Sequence, residues 1–232
     1  MPGIDLFTRR RVRLSRHWLK GPRRFLDAGS GNGWFSRLAY RSGATVTAVN
    51  IADDQVRRSV QFYNGWLRIP ASCLRFKTLD LYDLERLRPG FDEIICYETL
   101  EHIRDDVRVS RSFHRLLRTG GCLHLCCPNA EHGRWRNEPV DPDEKGSHVR
   151  PGYTPASYRA LLEPLGFKIV HTEGMGGPFL TGMTYLVQAV QKRWGDFWAI
   201  PVFLAGLPFA WLDPSRPACP YSWYVKAVKK AD

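Results

Sequence analysis

Short apolar, β-branched runs alternate with helix-like stretches along most of the chain, and this alternation narrows the possible folds more than any other feature. "RRFLDAGS" (23–30) reads as a strand entering a glycine turn, and "GWFSRLAYRSG" (33–43) as a helix ended by Gly43. "TVTAVNI" (45–51) is a β-branched strand; a helix follows over 53–68 with Asp53 as its cap. Further strands are expected at 74–81, 91–98, 122–129, 167–174 and 222–230, and further helices at 105–121 and 154–166. Thr154 and Pro155 mark the start of the last of these helices. Such alternation implies a parallel α/β sheet with helices on both faces.

The 232 residues fit one domain. Residues 1–22 form a basic arm, 129–153 a polar, turn-rich loop over the active face, and 175–221 an apolar helical insertion before the last strand. Net charge is +11, and residues 1–24 hold eight basic residues against one acid. An arm of that charge attracts nucleic acid or an anionic membrane surface, or is simply a solvated helix. The six cysteines include no Cys-x-x-Cys pair and several sit in apolar runs, where Cys packs as a small hydrophobe. With no signal-peptide pattern at the start, a cytoplasmic setting is expected. The uncharged run "FWAIPVFLAGLPFAWL" (197–212) is too short to span a bilayer and is broken by Pro201 and Pro208. It reads either as a buried helical pair or as a peripheral membrane patch, with Trp194, Trp198 and Trp211 favouring an interface.

"LDAGSGNG" (26–33) follows a strand and opens a helix, so Gly29 and Gly31 allow close backbone approach to a ligand at a helix N-terminus. The dinucleotide fingerprint requires Gly or Ala where this chain has Trp34. With "TVTAVNI", "LDL" (79–81), "FDEIICYETLEHI" and "LLRTGGCLHLCCPN" in order, the chain resembles the class I S-adenosylmethionine (SAM)-dependent methyltransferases over roughly 23–174 and the final strand. That resemblance implies a Rossmann-like doubly wound sheet of seven strands, mostly parallel with the last antiparallel. It also implies SAM as cofactor. Asp27, Gly29 and Gly31 would then line its methionine and ribose portion, Ile51 would pack on adenine, and Asp80 with Leu81 would meet the adenine amino group. Tyr97 would sit near the sulfonium. One position departs from the family pattern: Asn50 stands where an acid usually accepts from both ribose hydroxyls, at a cost of about 1 kcal/mol.

"IICYETLEH" (94–102) delivers Glu98, Glu101 and His102 just past a buried strand. A helical turn there would put all three on one face. Two close carboxylates repel unless a cation lies between them, and oxygen-rich sites with an imidazole suit Mg²⁺ or Mn²⁺. "CYETLEHI" resembles the ubiquinone-biosynthesis O-methyltransferase branch, and the cluster is similar also to that of small-RNA 2′-O-methyltransferases. The resemblance implies Glu98, Glu101, His102 and His148 as metal ligands. Two alternatives stand beside it: His102 as a metal-free general base with Glu101 orienting the turn, or a structural role, with Asp105 and Asp106 capping the next helix. Trp135, Arg150 and Tyr153 are candidates for the acceptor pocket. The expected activity is methyl transfer to a hydroxyl of a small or lipid-linked acceptor. An RNA ribose methyltransferase and a non-catalytic SAM-binding scaffold are the alternatives.

Overall fold

The computed structural model describes residues 6–137, 139–141, 143–144, 146–209, 212–214 and 216–231. Its strands are β1 (Arg23–Ala28), β2 (Ala44–Asn50), β3 (Leu74–Thr78), β4 (Phe91–Tyr97), β5 (Leu117–Pro128), β6 (Phe167–Met175) and β7 (Ser222–Lys229). They form one sheet in the order β3-β2-β1-β4-β5-β7-β6. The pairs from β3 to β5 are parallel, and β7 runs antiparallel between β5 and β6. The seven-stranded doubly wound sheet expected from the sequence is therefore the fold.

Helices cover both faces because the strands are apolar on both sides, as buried parallel sheets are. Neighbouring residues of β4 face opposite ways. Ile94 packs in the core layer with Val109, Phe113 and Leu116 of α4 (Asp106–Leu116) and Tyr158 and Leu162 of α6 (Pro155–Leu162). Ile95 packs in the other layer with Ala39 of α2 (Trp34–Arg41) and Val56 of α3 (Asp53–Ser59). From Val60 to Trp66 the chain of α3 continues as a π-helix, with Leu67 N–H donating to Phe62 O. At the start of α6, Thr154 Oγ1 accepts from Ser157 N–H and Ser157 Oγ accepts from Thr154 N–H, which satisfies two otherwise orphaned donors.

The strand order reverses between β1 and β4, so their carboxyl ends part and leave a crevice at that edge. Three segments outside the alternating pattern crowd around it. The first is the N-terminal arm, α1 (Leu6–Val12) followed by a 3₁₀ turn (Arg13–His17). The second is the loop that carries α5 (Gly133–Arg136). The third is the pair α7 (Pro178–Trp194) and α8 (Asp196–Phe209).

The arm corrects the solvated-helix reading. Leu6 and Phe7 are buried against Leu180, Val187, Ala199 and Phe203 of α7 and α8, and Arg11 is only 7% exposed. The run 197–212 is half core and half surface: Ala199 and Phe203 face inward, while Phe197, Trp198 and Leu204 are exposed. Trp194 is exposed as well, and Trp211 lies outside the described residues. No helix among the described residues is long and apolar enough to cross a membrane.

Candidate active site

The crevice begins at the glycine turn. Gly29 and Ser30 N–H both donate to Val49 O, at 3.0 and 2.9 Å, which ties the turn to the end of β2. Gly29 has φ +81°, and a Cβ there would lie 2.3 Å from Thr99 Oγ1, so only glycine fits against the segment after β4. Gly31 differs: φ is +50°, but nothing lies within 4 Å of where its Cβ would be. Its backbone therefore faces free space, as close approach to a ligand requires. Gly31→Ala is expected to fold, at about 1 kcal/mol for the left-handed backbone, while the added methyl lowers SAM affinity roughly tenfold to a hundredfold. Thermal unfolding paired with calorimetric titration of SAM separates the two effects.

Asp27, 3% exposed, accepts from Ser36 Oγ of α2 at 2.5 Å. Burial raises its pKa to about 7, against the lowering effect of the Ser36 bonds. An unfolded aspartate titrates near 4. Between there and about 7 the folded chain holds a proton that the unfolded chain has lost, so stability falls as pH rises through that window. Asp27→Asn is expected to flatten the fall, by at most about 1.4 kcal/mol per pH unit. Urea unfolding at pH 5, 6 and 7 measures it.

At the end of β2, Asn50 Nδ2 donates to Gln55 Oε1 at 2.9 Å, and Asn50 Oδ1 accepts from Ala52 N–H at 3.2 Å. Ile51 beside it is 69% exposed, an uncovered hydrophobe at the crevice. Asp80 Oδ1 caps the 3₁₀ turn Leu81–Arg86 by accepting from Tyr82 N–H, which leaves its other oxygen for a ligand, and Leu81 is buried. A cavity of about 830 Å³ opens beside Gly31 and Asn32, walled by Gln55, Tyr63 and Trp66. Glu101 and His102 do not line it.

Past β4 the geometry departs from the helical turn expected over 98–102. Glu98 has φ +48°, Thr99 has φ −141°, and only Leu100–His102 form a 3₁₀ turn. Glu98 pairs with Arg11 of the arm at 2.8 Å. The structure therefore does not bring Glu98 into the group formed by the other two with His148, and a guanidinium lies against it instead.

Glu101, His102 and His148 do meet, each offering a ligand atom within 4.8 Å of the others. Glu101 is 1% exposed. Its carboxylate has no hydrogen-bond partner among the described residues other than the weakly donating Cys127 thiol. Burial, then the charge of Glu98, pushes its pKa up to about 8. His102 Nδ1 lies 2.9 Å from Ser147 O. A carbonyl only accepts, so Nδ1 carries a proton, and in the neutral ring Nε2 is the nitrogen with the lone pair. The loop is fastened here by Val149 N–H donating to Glu101 O and by Tyr153 N–H donating to Pro128 O. Trp135, 7% exposed, sets its indole at a tilt 5.1 Å from the His148 ring and edge-on 5.0 Å from Tyr221.

Three further expectations need correction. Arg150 pairs with Asp106 and donates to Ile103 O and Arg104 O, both at 2.7 Å. Tyr153, 3% exposed, donates its hydroxyl to Asp106 Oδ2 at 2.6 Å. Both residues are spent on holding the loop to α4, so neither is positioned to bind an acceptor. Asp106 is that buried anchor, and Asp105 alone caps α4 by accepting from Arg108 N–H. Tyr97 turns its side chain into the core, where its hydroxyl accepts from Trp18 Nε1 at 3.2 Å and its ring meets Phe35 edge-on. Only its backbone lies at the crevice.

A family profile described as a methyltransferase domain matches residues 5–172. The ubiquinone biosynthesis O-methyltransferase of Xanthomonas euvesicatoria pv. vesicatoria (strain 85-10) is 29% identical over 161 residues, 66% of this chain and 65% of that one. The chain spans less than two thirds of the length of the curated relatives it matches. Among solved structures, the phosphoethanolamine N-methyltransferase 2 of Haemonchus contortus in complex with S-adenosyl-L-methionine has a TM-score of 0.67 at 15% identity, covering 97% of this chain and 53% of that chain. The [4+2]-cyclase SpnF has a TM-score of 0.66 at 18% identity, covering 97% and 81%. Likeness at such identity carries the fold alone, and a cyclase beside a methyltransferase is a reminder that function lives in the site.

Proposed function

The chain belongs to the class I SAM-dependent methyltransferases, whose domain matches most of its length, and on that premise we propose that it methylates a hydroxyl of a small, lipophilic acceptor. One observation carries the proposal: a buried, nearly unpartnered carboxylate, Glu101, stands with the His102 and His148 rings at the carboxyl edge of the sheet. SAM supplies an already activated methyl, so the chain's work is alignment and handling of the acceptor proton. Gly29, Gly31, Asp27, Asn50, Ile51 and Asp80 would hold the cofactor. His102 Nε2 would take the hydroxyl proton as the methyl moves in line from sulfur to oxygen. Trp135 would form one wall of the acceptor pocket.

The same three side chains fit a divalent metal, since an orphaned buried carboxylate beside two imidazoles is a chemically suitable donor set. When bound, such an ion would lower the pKa of the acceptor hydroxyl. Glu101, His102 and His148 would hold it, without Glu98.

The deciding experiment is calorimetric titration with SAM, followed by transfer of labelled methyl to a catechol with an alkyl tail. Micromolar binding and a methyl ether product are expected. Binding without transfer to any hydroxylated acceptor would favour the scaffold, and no binding would sink the proposal. The basic arm lends RNA little support, because Arg11 is turned inward to Glu98.

A lipophilic acceptor suits an anionic membrane surface as partner. Phe179, Leu186, Trp194, Phe197, Trp198 and Leu204 leave an exposed apolar face on α7 and α8, flanked by the exposed cations Lys192 and Arg193. Vesicles containing phosphatidylglycerol are expected to bind the chain in sedimentation assays. Joint Phe197→Ser and Trp198→Ser replacement should weaken that binding at least about tenfold. Equal binding by both proteins would remove the membrane from the proposal.

A further inference from the structure

A second group of ligating side chains lies where the arm crosses β6, and the proposed chemistry does not use it. His17 ends the 3₁₀ turn of the arm, while His171 and Glu173 sit two residues apart on β6 and so share a face. The His17 ring is 4.3 Å from that of His171 and 5.4 Å from Tyr224. His17 Nε2 is 3.2 Å from Glu173 Oε2, and His171 Nε2 is 3.4 Å from the same oxygen. All three ligand atoms lie within 4.8 Å of one another.

We propose that His17, His171 and Glu173 bind a Zn²⁺-like divalent cation that fastens the N-terminal arm to β6. Bonds of about 2.0–2.1 Å at tetrahedral angles separate neighbouring ligand atoms by about 3.3 Å. The two measured separations fall on either side of that value. Two imidazoles and one carboxylate favour Zn²⁺ or Co²⁺ over Mg²⁺ and Ca²⁺, which take mainly oxygen. Three protein ligands leave a fourth position for water, and a cavity of about 530 Å³ with Glu173, Thr172 and Trp223 in its wall gives water access.

Positive charge surrounds the group and sets its affinity. Arg16 Nη2 lies 2.7 Å from Glu173 Oε2, and Arg16 Nε donates to His17 Nε2 at 3.1 Å. The guanidinium thus supplies the cation's charge while no metal is bound. Its side chain is 56% exposed and free to swing into solvent when an ion displaces it. Lys226 Nζ donates to His17 O at 2.7 Å, and Arg216 lies in the cavity wall. The site therefore favours an ion that bonds strongly to nitrogen over one held by charge alone.

Co²⁺ titration followed by visible absorption tests the site in the full chain carrying Cys219→Ser and Glu101→Gln, which remove the exposed thiol and the crevice carboxylate as competing ligands. A tetrahedral Co²⁺ spectrum is expected in that background. His171→Ala, or His171→Gln if alanine impairs folding, should weaken binding at least about tenfold. Arg16→Ala should tighten it several-fold, a change of sign that a merely structural cluster would not give. In the wild type, Zn²⁺ should slow tryptic cleavage between Arg9 and Arg16. Binding that survives His171 replacement in the Cys219→Ser, Glu101→Gln background, or that is absent from it, would assign the ion elsewhere and overturn the proposal. So would Arg16→Ala weakening it, or cleavage indifferent to Zn²⁺.

Discussion

Replacing His102 with alanine should slow methyl transfer about 10²–10⁴-fold while SAM affinity stays within about twofold. The expectation rests on one fixed tautomer. Ser147 O holds the Nδ1 proton, so the neutral ring presents its lone pair on Nε2, whether its task is to take a proton or to hold a metal. The loop that supplies this carbonyl is anchored through Arg150 and Tyr153 to Asp106, so the ring is oriented by a rigid support. Single-turnover rates and calorimetry together measure the two quantities. A rate within about tenfold of wild type would mean that the acceptor hydroxyl is activated elsewhere. A parallel loss of SAM affinity would make His102 a structural residue. Adding Mn²⁺ distinguishes the two tasks: a metal-free base works equally well after chelation, and a ligand does not.

Arg23→Ala should cost about 3–5 kcal/mol of stability, the largest loss expected from a residue remote from the crevice. Glu93 is fully buried in β4. It accepts from Arg23 Nε at 2.7 Å and from Leu19 N–H at 2.9 Å, with His124 Nε2 at 2.8 Å. Arg23 is committed in turn, donating to Gly21 O, Ser42 O and Ser42 Oγ. Removing the guanidinium strands a buried carboxylate, because burial holds the His124 pKa down and disfavours a compensating charge there. The loss should shrink at low pH, where His124 takes a proton. Urea unfolding at pH 7 and pH 5 checks both size and trend. A cost below about 1 kcal/mol at pH 7 would show that His124 carries the charge.

The sheet was legible because its cues are local. Strands such as "TVTAVNI" and the capped start of α6 declare themselves within ten residues. The boundary between α4 and β5 was not: a helix was expected to Gly121, but it stops at Leu116 because Leu117 pairs with Phe91 across an irregular register. That pairing depends on a strand more than twenty residues earlier. The tight glycine turn after β1, with open space beside Gly31, was legible, and His148 does lie with Glu101 and His102. The placement of Glu98 was not legible because spacing assumes a regular helix, and a left-handed residue breaks that assumption. Its partner Arg11 looked like any other cation in a basic arm, and nothing in the local sequence marks it as buried. Arg150 and Tyr153 were chosen for their chemistry, which is equally suited to anchoring a loop.

The arm has two ends of contact. Leu6 and Phe7 of α1 pack against α7 and α8, and Arg11 of the same helix holds Glu98 beside the crevice. Little more than one turn of helix thus joins the inner side of α7 and α8 to the tip of β4. Thermodynamic reciprocity follows: if contact with a surface shifts α7 and α8 and thereby changes acceptor affinity by some factor, acceptor binding must change surface affinity by the same factor. Loading and release would then be coupled to attachment, with one helix as the lever.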